Sequence, residues 1–217
     1  MDAVREIATR FNVLYYNMFG SGERAFNWHE WRGVPVLKTP EDLWRYQKII
    51  FETKPDVIIE TGAAHGGSAL WFADVCELVG NGLVIACDVE LGAIRDSVRQ
   101  HPRISLVEGS STSSVVVEQI RQQIRVGERV MVSLDSDHRV AHVLEEMRIY
   151  GELVSPGCYM VIEDTNLNGN PVQPMFGPGP REALEEFLRT RSEHWRQDRE
   201  IERSLLTFNP GGYLVKR

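Results

Sequence analysis

Only three cysteines occur in the 217 residues, Cys76, Cys87 and Cys158, and they form an odd, widely spaced set with no C-x-x-C. That argues against a disulfide framework and a zinc site and leaves all three as core filler. No apolar run approaches the ~20 residues needed to cross a bilayer, so a membrane is not expected as a partner. No secretory n-region and h-region open the chain, and a cytoplasmic enzyme is the expectation. Basic stripes are also missing: 24 Lys and Arg face 31 Asp and Glu, a net charge of −7. Such a balance argues against nucleic acid or an anionic lipid surface and favours a neutral or cationic small molecule. The length suits one sizeable core. It is read as a domain over 41–217 preceded by an N-terminal extension over 1–40.

The phosphate-binding loops are absent too. The run Val57-Ile58-Ile59-Glu60-Thr61-Gly62-Ala63-Ala64-His65-Gly66-Gly67-Ser68 has neither G-x-G-x-x-G spacing nor a Gly-Lys-Ser/Thr ending. What it does have is a β-branched strand that ends on a carboxylate and breaks into glycines before a helix. A ligand can approach the backbone closely there, and Glu60 would repel a pyrophosphate but suit a cationic ligand.

Beyond Glu60, short apolar runs at 57–60, 83–87, 104–107, 130–134 and 158–162 alternate with helical patterns near 67–80, 90–99, 113–126 and 138–151. This alternation predicts an α/β fold, a parallel sheet wound by crossover helices. Ser204–Phe208, the turn Asn209-Pro210-Gly211-Gly212 and Tyr213–Val215 read as a closing hairpin, which adds one reversed edge strand. Mixed charges over 181–203 read as a solvated surface helix. In the extension, Phe26, Trp28, His29 and Trp31, with Trp44 and Tyr46 just beyond, stand around Gly20, Gly22 and Gly33. They could form a substrate lid or pin the extension to the body of the domain. The turn-rich segment from Thr165 to Pro180 directly follows the fifth strand and should border the site.

Ligands of open α/β sheets gather at the carboxyl ends of the strands. Here those ends carry Glu60, Asp88, Glu108-Gly109-Ser110-Ser111, Asp135-Ser136-Asp137-His138 and Glu163-Asp164. Acids after all five strands repel one another unless a cation sits among them. Asp88 is placed either to accept hydrogen bonds from ribose hydroxyls or to cap the next helix. Asp135, Glu163 and Asp164, hard oxygen donors from neighbouring strands, suit Mg2+ and leave room for two substrate oxygens. His138, three residues beyond Asp135, is placed to take a proton from a metal-bound hydroxyl, and the metal and a helix start would keep it neutral near pH 7. Asp137 could replace Asp135 on the metal, orient His138 or cap the helix.

Glu60-Thr61-Gly62, Gly66-Gly67-Ser68, Asp88, Leu134-Asp135-Ser136-Asp137-His138, Glu163-Asp164-Thr165-Asn166 and Leu206-Thr207-Phe208-Asn209-Pro210-Gly211-Gly212-Tyr213-Leu214 together resemble the cephalosporin hydroxylase family. That family is similar to Mg-dependent S-adenosylmethionine O-methyltransferases of macrolide sugars and rhamnosyl groups. The resemblance runs from about Gly33 to the C-terminus. It implies a Rossmann-like class I methyltransferase fold, a mostly parallel seven-stranded sheet with one antiparallel edge strand and helices on both faces. It also implies that Glu60, Gly62 and Ser68 hold the methionine part of the cofactor and Asp88 its ribose, with Ala64, Gly66, Val89, Ser110, Ser111 and Asp135 completing that surface. Asp135, Glu163 and Asp164 would bind magnesium, and His138 would be the base acting on a small-molecule hydroxyl. Catechol O-methyltransferase looks like a more distant relative, with a lysine where this chain has His138. Two other readings stand beside this one, an oxidoreductase as the family name says and a non-catalytic partner subunit of a tailoring enzyme. For the first, no 2-His-1-carboxylate spacing, haem ligand or flavin loop is found. The aromatic extension is compatible with contacts in a homo-oligomer.

Overall fold

The structure, a computed structural model, describes residues 2–17 and 24–217. Gly20 and Gly22 lie outside the described residues. The chain opens with α1 (Asp2–Asn17), a 3-10 turn (Ala25–Trp28) and a small hairpin of β1 (Glu30–Trp31) and β2 (Val34–Pro35). It continues as α2 (Pro40–Thr53), β3 (Val57–Thr61), α3 (Gly67–Val79), β4 (Leu83–Asp88), α4 (Asp96–Arg99), β5 (Ile104–Glu108), α5 (Ser114–Arg121) and β6 (Val130–Leu134). The last part is α6 (Val140–Gly151), β7 (Tyr159–Ile162), α7 (Pro180–Arg191), β8 (Trp195–Gln197) and β9 (Tyr213–Lys216).

Seven strands form one sheet in the order β5-β4-β3-β6-β7-β9-β8. The first five are parallel, and β9 runs antiparallel to both of its neighbours. The single reversed strand therefore lies second from the edge, with β8 outside it. β3 and β6 are buried along their whole length, which is why they read as unbroken apolar runs rather than alternating ones. One face of the sheet packs on α2 and α3 through Tyr46, Ile49, Leu70 and Phe72. The other packs on α5, α6 and α7 through Ile120, Met147, Tyr150 and Phe187. The chain leaves β3 toward β4 and β5 and returns to β6 on the opposite side. This makes the crevice between the β3 and β6 ends the topological switch point, where an α/β sheet accepts ligands.

Several sequence readings change in detail. Ser204–Phe208 is not a strand, and β9 pairs instead with β7 and β8. The reason is local: the Arg45 guanidinium donates to the Leu206 carbonyl, and the Phe208 N–H and Thr207 hydroxyl donate to Asp42, so α2 side chains take the backbone groups a ladder would use. Of the 90–99 pattern only Asp96–Arg99 is helical, and 113–126 shortens to Ser114–Arg121. The 181–203 stretch is helical only to Arg191. Its charges pair outward, as in Arg181–Glu185, while Ala183, Leu184 and Phe187 are buried. The three cysteines are free and buried. In the extension, Tyr16 and Phe26 pack against Phe208, Leu167 and Val172, so α1 and the 3-10 turn are pinned to the body, whereas Trp28 is 74% exposed.

Candidate active site

The β3 loop is shaped by what passes beside it. Gly62 and Gly66 have φ of +83° and +81°, and Gly66 is the left-handed residue that starts α3. A Cβ on Gly62 would stand 2.0 Å from the Asp135 carbonyl oxygen, and one on Gly67 would stand 2.0 Å from that of Pro35. Glycine is therefore required for the loop to lie against β6 and against the N-terminal hairpin. The Asp88 carboxylate accepts the Ala64 N–H at 2.8 Å and the Glu90 N–H at 3.3 Å. Since α4 begins only at Asp96, Asp88 braces the first loop and does not cap a helix.

Four acids converge at the switch point, and a lysine missed in the sequence reading stands among them. Lys38, 2% exposed, donates through Nζ to Asp135 Oδ2 and Glu163 Oε1, each at 2.6 Å, and lies 3.8 Å from Glu60 Oε1. Glu163 is saturated: Tyr46, Ser133 and Lys38 donate to Oε1, and Asn209 Nδ2 donates to Oε2 at 3.2 Å. Glu60 is the opposite case, fully buried with neither oxygen hydrogen-bonded. Burial pushes its carboxyl up to about 8 against the pull of Lys38. A buried carboxylate without a donor is costly, and here the cost is eased by the raised pKa and by the Lys38 ammonium 3.8 Å away.

Asp164 is held from both ends of the chain. Its N–H donates to Asn209 Oδ1 at 2.9 Å, and its Oδ2 accepts the Tyr16 hydroxyl at 3.3 Å. His138 Nε2 is 3.1 Å from Asp164 Oδ2 and 3.9 Å from Asp135 Oδ1. Burial opposes a charge on His138, but the Asp164 hydrogen bond and the surrounding carboxylates outweigh it and push the imidazole up to about 9. Without another cation, then, the ring is protonated at neutral pH, and the expectation of a neutral His138 does not hold for the protein alone. It precedes α6 rather than lying in its first turn. The Asp137 carboxylate accepts the Arg139 N–H at 3.0 Å and acts as a turn cap.

Among the described residues, Asp135, His138 and Asp164 bring ligand atoms within 4.8 Å of one another. Two carboxylates opening on a cavity, with no thiolate nearby, fit a hard divalent ion. Of the expected metal set, Asp135 and Asp164 meet here, while Glu163 faces Lys38 behind them.

Two cavities share walls at this point. One, of about 320 Å³, is lined by Gly62, Ala64, Asp88, Val89, Ser110, Ser111 and Asp135 of the expected cofactor residues, together with Ser136 and His142, which the sequence reading passed over. The other, of about 200 Å³, is walled by Tyr16, Phe26, Lys38, Ser68, His138 and Asp164. Gly62, Ala64 and Asp135 border both. Gly66 and Glu60 stand behind the loop and line neither.

A seven-stranded sheet with this order and one reversed strand, bearing an acid-glycine loop at the switch point, defines the class I methyltransferase fold. Solved structures agree on the fold. A CmcI structure with Mg and SAM covers 92% of this chain and 81% of its own at 22% identity and a TM-score of 0.68. An O-methyltransferase from Bacillus cereus in complex with SAH covers 90% and 80% at 13% identity and a TM-score of 0.56. The family model for rhamnosyl O-methyltransferase/CmcI matches residues 24–217. A rhamnosyl O-methyltransferase of Mycobacterium leprae (strain TN) is 36% identical over 214 residues, 97% of this chain and 91% of the relative. One of Mycobacterium tuberculosis (strain ATCC 25618 / H37Rv) is 35% identical over 213 residues, covering 97% and 85%. The chain belongs to the rhamnosyl O-methyltransferase/CmcI family.

Proposed function

We propose that the chain is an S-adenosylmethionine-dependent O-methyltransferase that methylates one hydroxyl of a diol-bearing small molecule, a sugar or a natural product, with His138 as general base. One observation carries the reading. The cavity beside Asp88 and the cavity beside His138 share Gly62 and Asp135 as a border, which supports a methyl donor in the first beside a hydroxyl in the second. Relatives that share more than a third of their residues with this chain are rhamnosyl O-methyltransferases, which supports a glycosidic acceptor.

Asp88 takes the ribose hydroxyls, and the loop residues Gly62 and Ala64, which border both cavities, lie along the methionine part. Asp135 and Asp164 would hold magnesium, with Glu163 behind them, and the bound ion would supply Lewis acidity that lowers the pKa of a hydroxyl and would offset the carboxylates that favour a protonated His138. His138 accepts the hydroxyl proton at Nε2. Tyr16 and Phe26 exclude water and help hold the acceptor oxygen ~3–3.5 Å from the methyl carbon, on one line with it, where much of the acceleration arises. Among the described residues no helix is long and apolar enough to cross a membrane.

The test is incubation of the purified protein with rhamnosides, S-adenosylmethionine and magnesium, run in parallel under anaerobic conditions and in air with a reductant. A product heavier by one methylene, formed without oxygen or reductant and absent when the acceptor's diol is blocked, is expected. A hydroxylated product that needs oxygen and a reductant would overturn the proposal in favour of oxidoreductase chemistry.

A further inference from the structure

On the wall of the larger cavity, three polar side chains meet around one ring nitrogen. His142 Nε2 lies 3.1 Å from Ser111 Oγ, 3.0 Å from Ser136 Oγ and 3.5 Å from Glu146 Oε1. The acid and both hydroxyls face the same nitrogen, so this is not the relay of a nucleophilic triad, in which the acid sits on the other nitrogen of the ring. It orders protons instead. Glu146 is 1% exposed, and the Ser136 hydroxyl donates to its Oε1 at 2.7 Å. That uses the single proton of Ser136. The contact at 3.0 Å must then run from His142 Nε2–H to Ser136 Oγ, and a protonated Nε2 cannot accept from Ser111. Ser111 is thus left with a hydroxyl proton that has no acceptor among the described residues. It is 5% exposed, it lines the cavity, and the Tyr150 hydroxyl fixes its carbonyl at 2.7 Å. Imidazole and imidazolium both carry the Nε2 proton in this arrangement, so the outcome is the same in either charge state.

We infer that His142, ordered by Glu146, is a positioning residue that holds the Ser111 hydroxyl as a hydrogen-bond donor to an acceptor nitrogen of the methyl donor's purine. This rests on the methyl-donor reading above. Asp88 fixes the ribose at one end of the cavity, Cys87 and Val89 offer apolar surface to a flat ring, and the Ser111 proton meets its edge.

Calorimetric dissociation constants for S-adenosylhomocysteine and its 1-deaza, 3-deaza and 7-deaza analogues test the assignment. On the wild type, one analogue should bind roughly tenfold more weakly than the parent, the value of one good hydrogen bond. Ser111→Ala should weaken the parent by that factor and leave that one analogue unchanged. His142→Ala should repeat the Ser111→Ala pattern, and His142→Gln, which keeps an N–H donor, should recover most of the affinity. Equal binding of all four ligands to the wild type, or a Ser111→Ala loss common to all four, overturns the inference. Retention of full parent affinity by His142→Ala overturns it as well. If His142→Ala does not fold, the Ser111→Ala and deaza series decide alone. A wild type that binds no S-adenosylhomocysteine at all would instead sink the methyl-donor reading.

Discussion

Replacing Lys38 by methionine keeps the unbranched stem but for its last atom and removes the ammonium that stands among Glu60, Asp135 and Glu163. Lys38 is 2% exposed and Glu163 4%, so water cannot take over the lost hydrogen bonds at the Glu163 end, and only Asp135, with a fifth of its side chain accessible, can recruit some. Breaking one partner out of a buried ion network leaves an uncompensated charge and costs about 3–5 kcal/mol. For a chain of this size each kcal/mol moves the melting temperature by about 2–4 °C, so Lys38→Met should melt about 6–20 °C below the wild type in magnesium-free buffer. Part of the loss should return in K38M/E163Q, because the second change removes an acid that the first left stranded, and the two residues touch. Differential scanning calorimetry at neutral pH reads both. A single variant that melts within about 2 °C of the wild type, or a double variant that melts lower than the single one, would refute the view of Lys38 as the cation that holds these acids together.

His138→Ala should lower turnover by roughly 10²–10⁴ while leaving S-adenosylmethionine affinity nearly unchanged, as steady-state rates and calorimetry on the same preparation would read. Gly62→Ala should abolish cofactor binding, since its Cβ would need the space of the Asp135 carbonyl oxygen, and equilibrium binding of S-adenosylhomocysteine checks this. Burial pushes Asp42 up to about 6, above its usual 3.8 and against the pull of Arg45 and three hydrogen bonds. A raised carboxyl contributes stability that is fully present below pH ~4 and lost as pH rises through ~6. The part due to this group is about 3 kcal/mol, so the fall of melting temperature between pH 4 and 7 should be smaller in Asp42→Asn. Removing divalent ions with a chelator should reduce turnover, and added magnesium should restore it.

How far the sequence spoke depended on whether a residue's role was local. β3, β4, β6 and β7 are legible because helices cover both faces of the sheet where they lie, which favours β-branched residues in runs. The acids at the strand ends are legible because position after a strand is itself the signal. β8 is not: three residues in a polar stretch carry no periodicity, and their pairing with β9 is fixed by Trp195 packing on Phe187. Ser204–Phe208 looks like a strand because of Leu205, Leu206 and Phe208, but Asp42 and Arg45, far away in sequence, take over its backbone groups. Lys38 reads as an ordinary loop lysine, and its burial follows only from carboxylates delivered by three distant strands. Glu163 shows the converse, since its place in the sequence was evident but its orientation depends on Tyr46, Ser133 and Asn209.

The first forty residues supply two different parts, Tyr16 and Phe26 on the wall of the cavity proposed for the acceptor and Lys38 between the acids. Exchanging that segment between relatives at residue 40 would therefore transplant a specificity surface and the counter-charge of another protein's acids in one cut. Chimaeras joined before Lys38 would keep this ammonium with its own carboxylates. A library built to alter acceptor choice is better cut there, in the short stretch after β2, than at the start of α2.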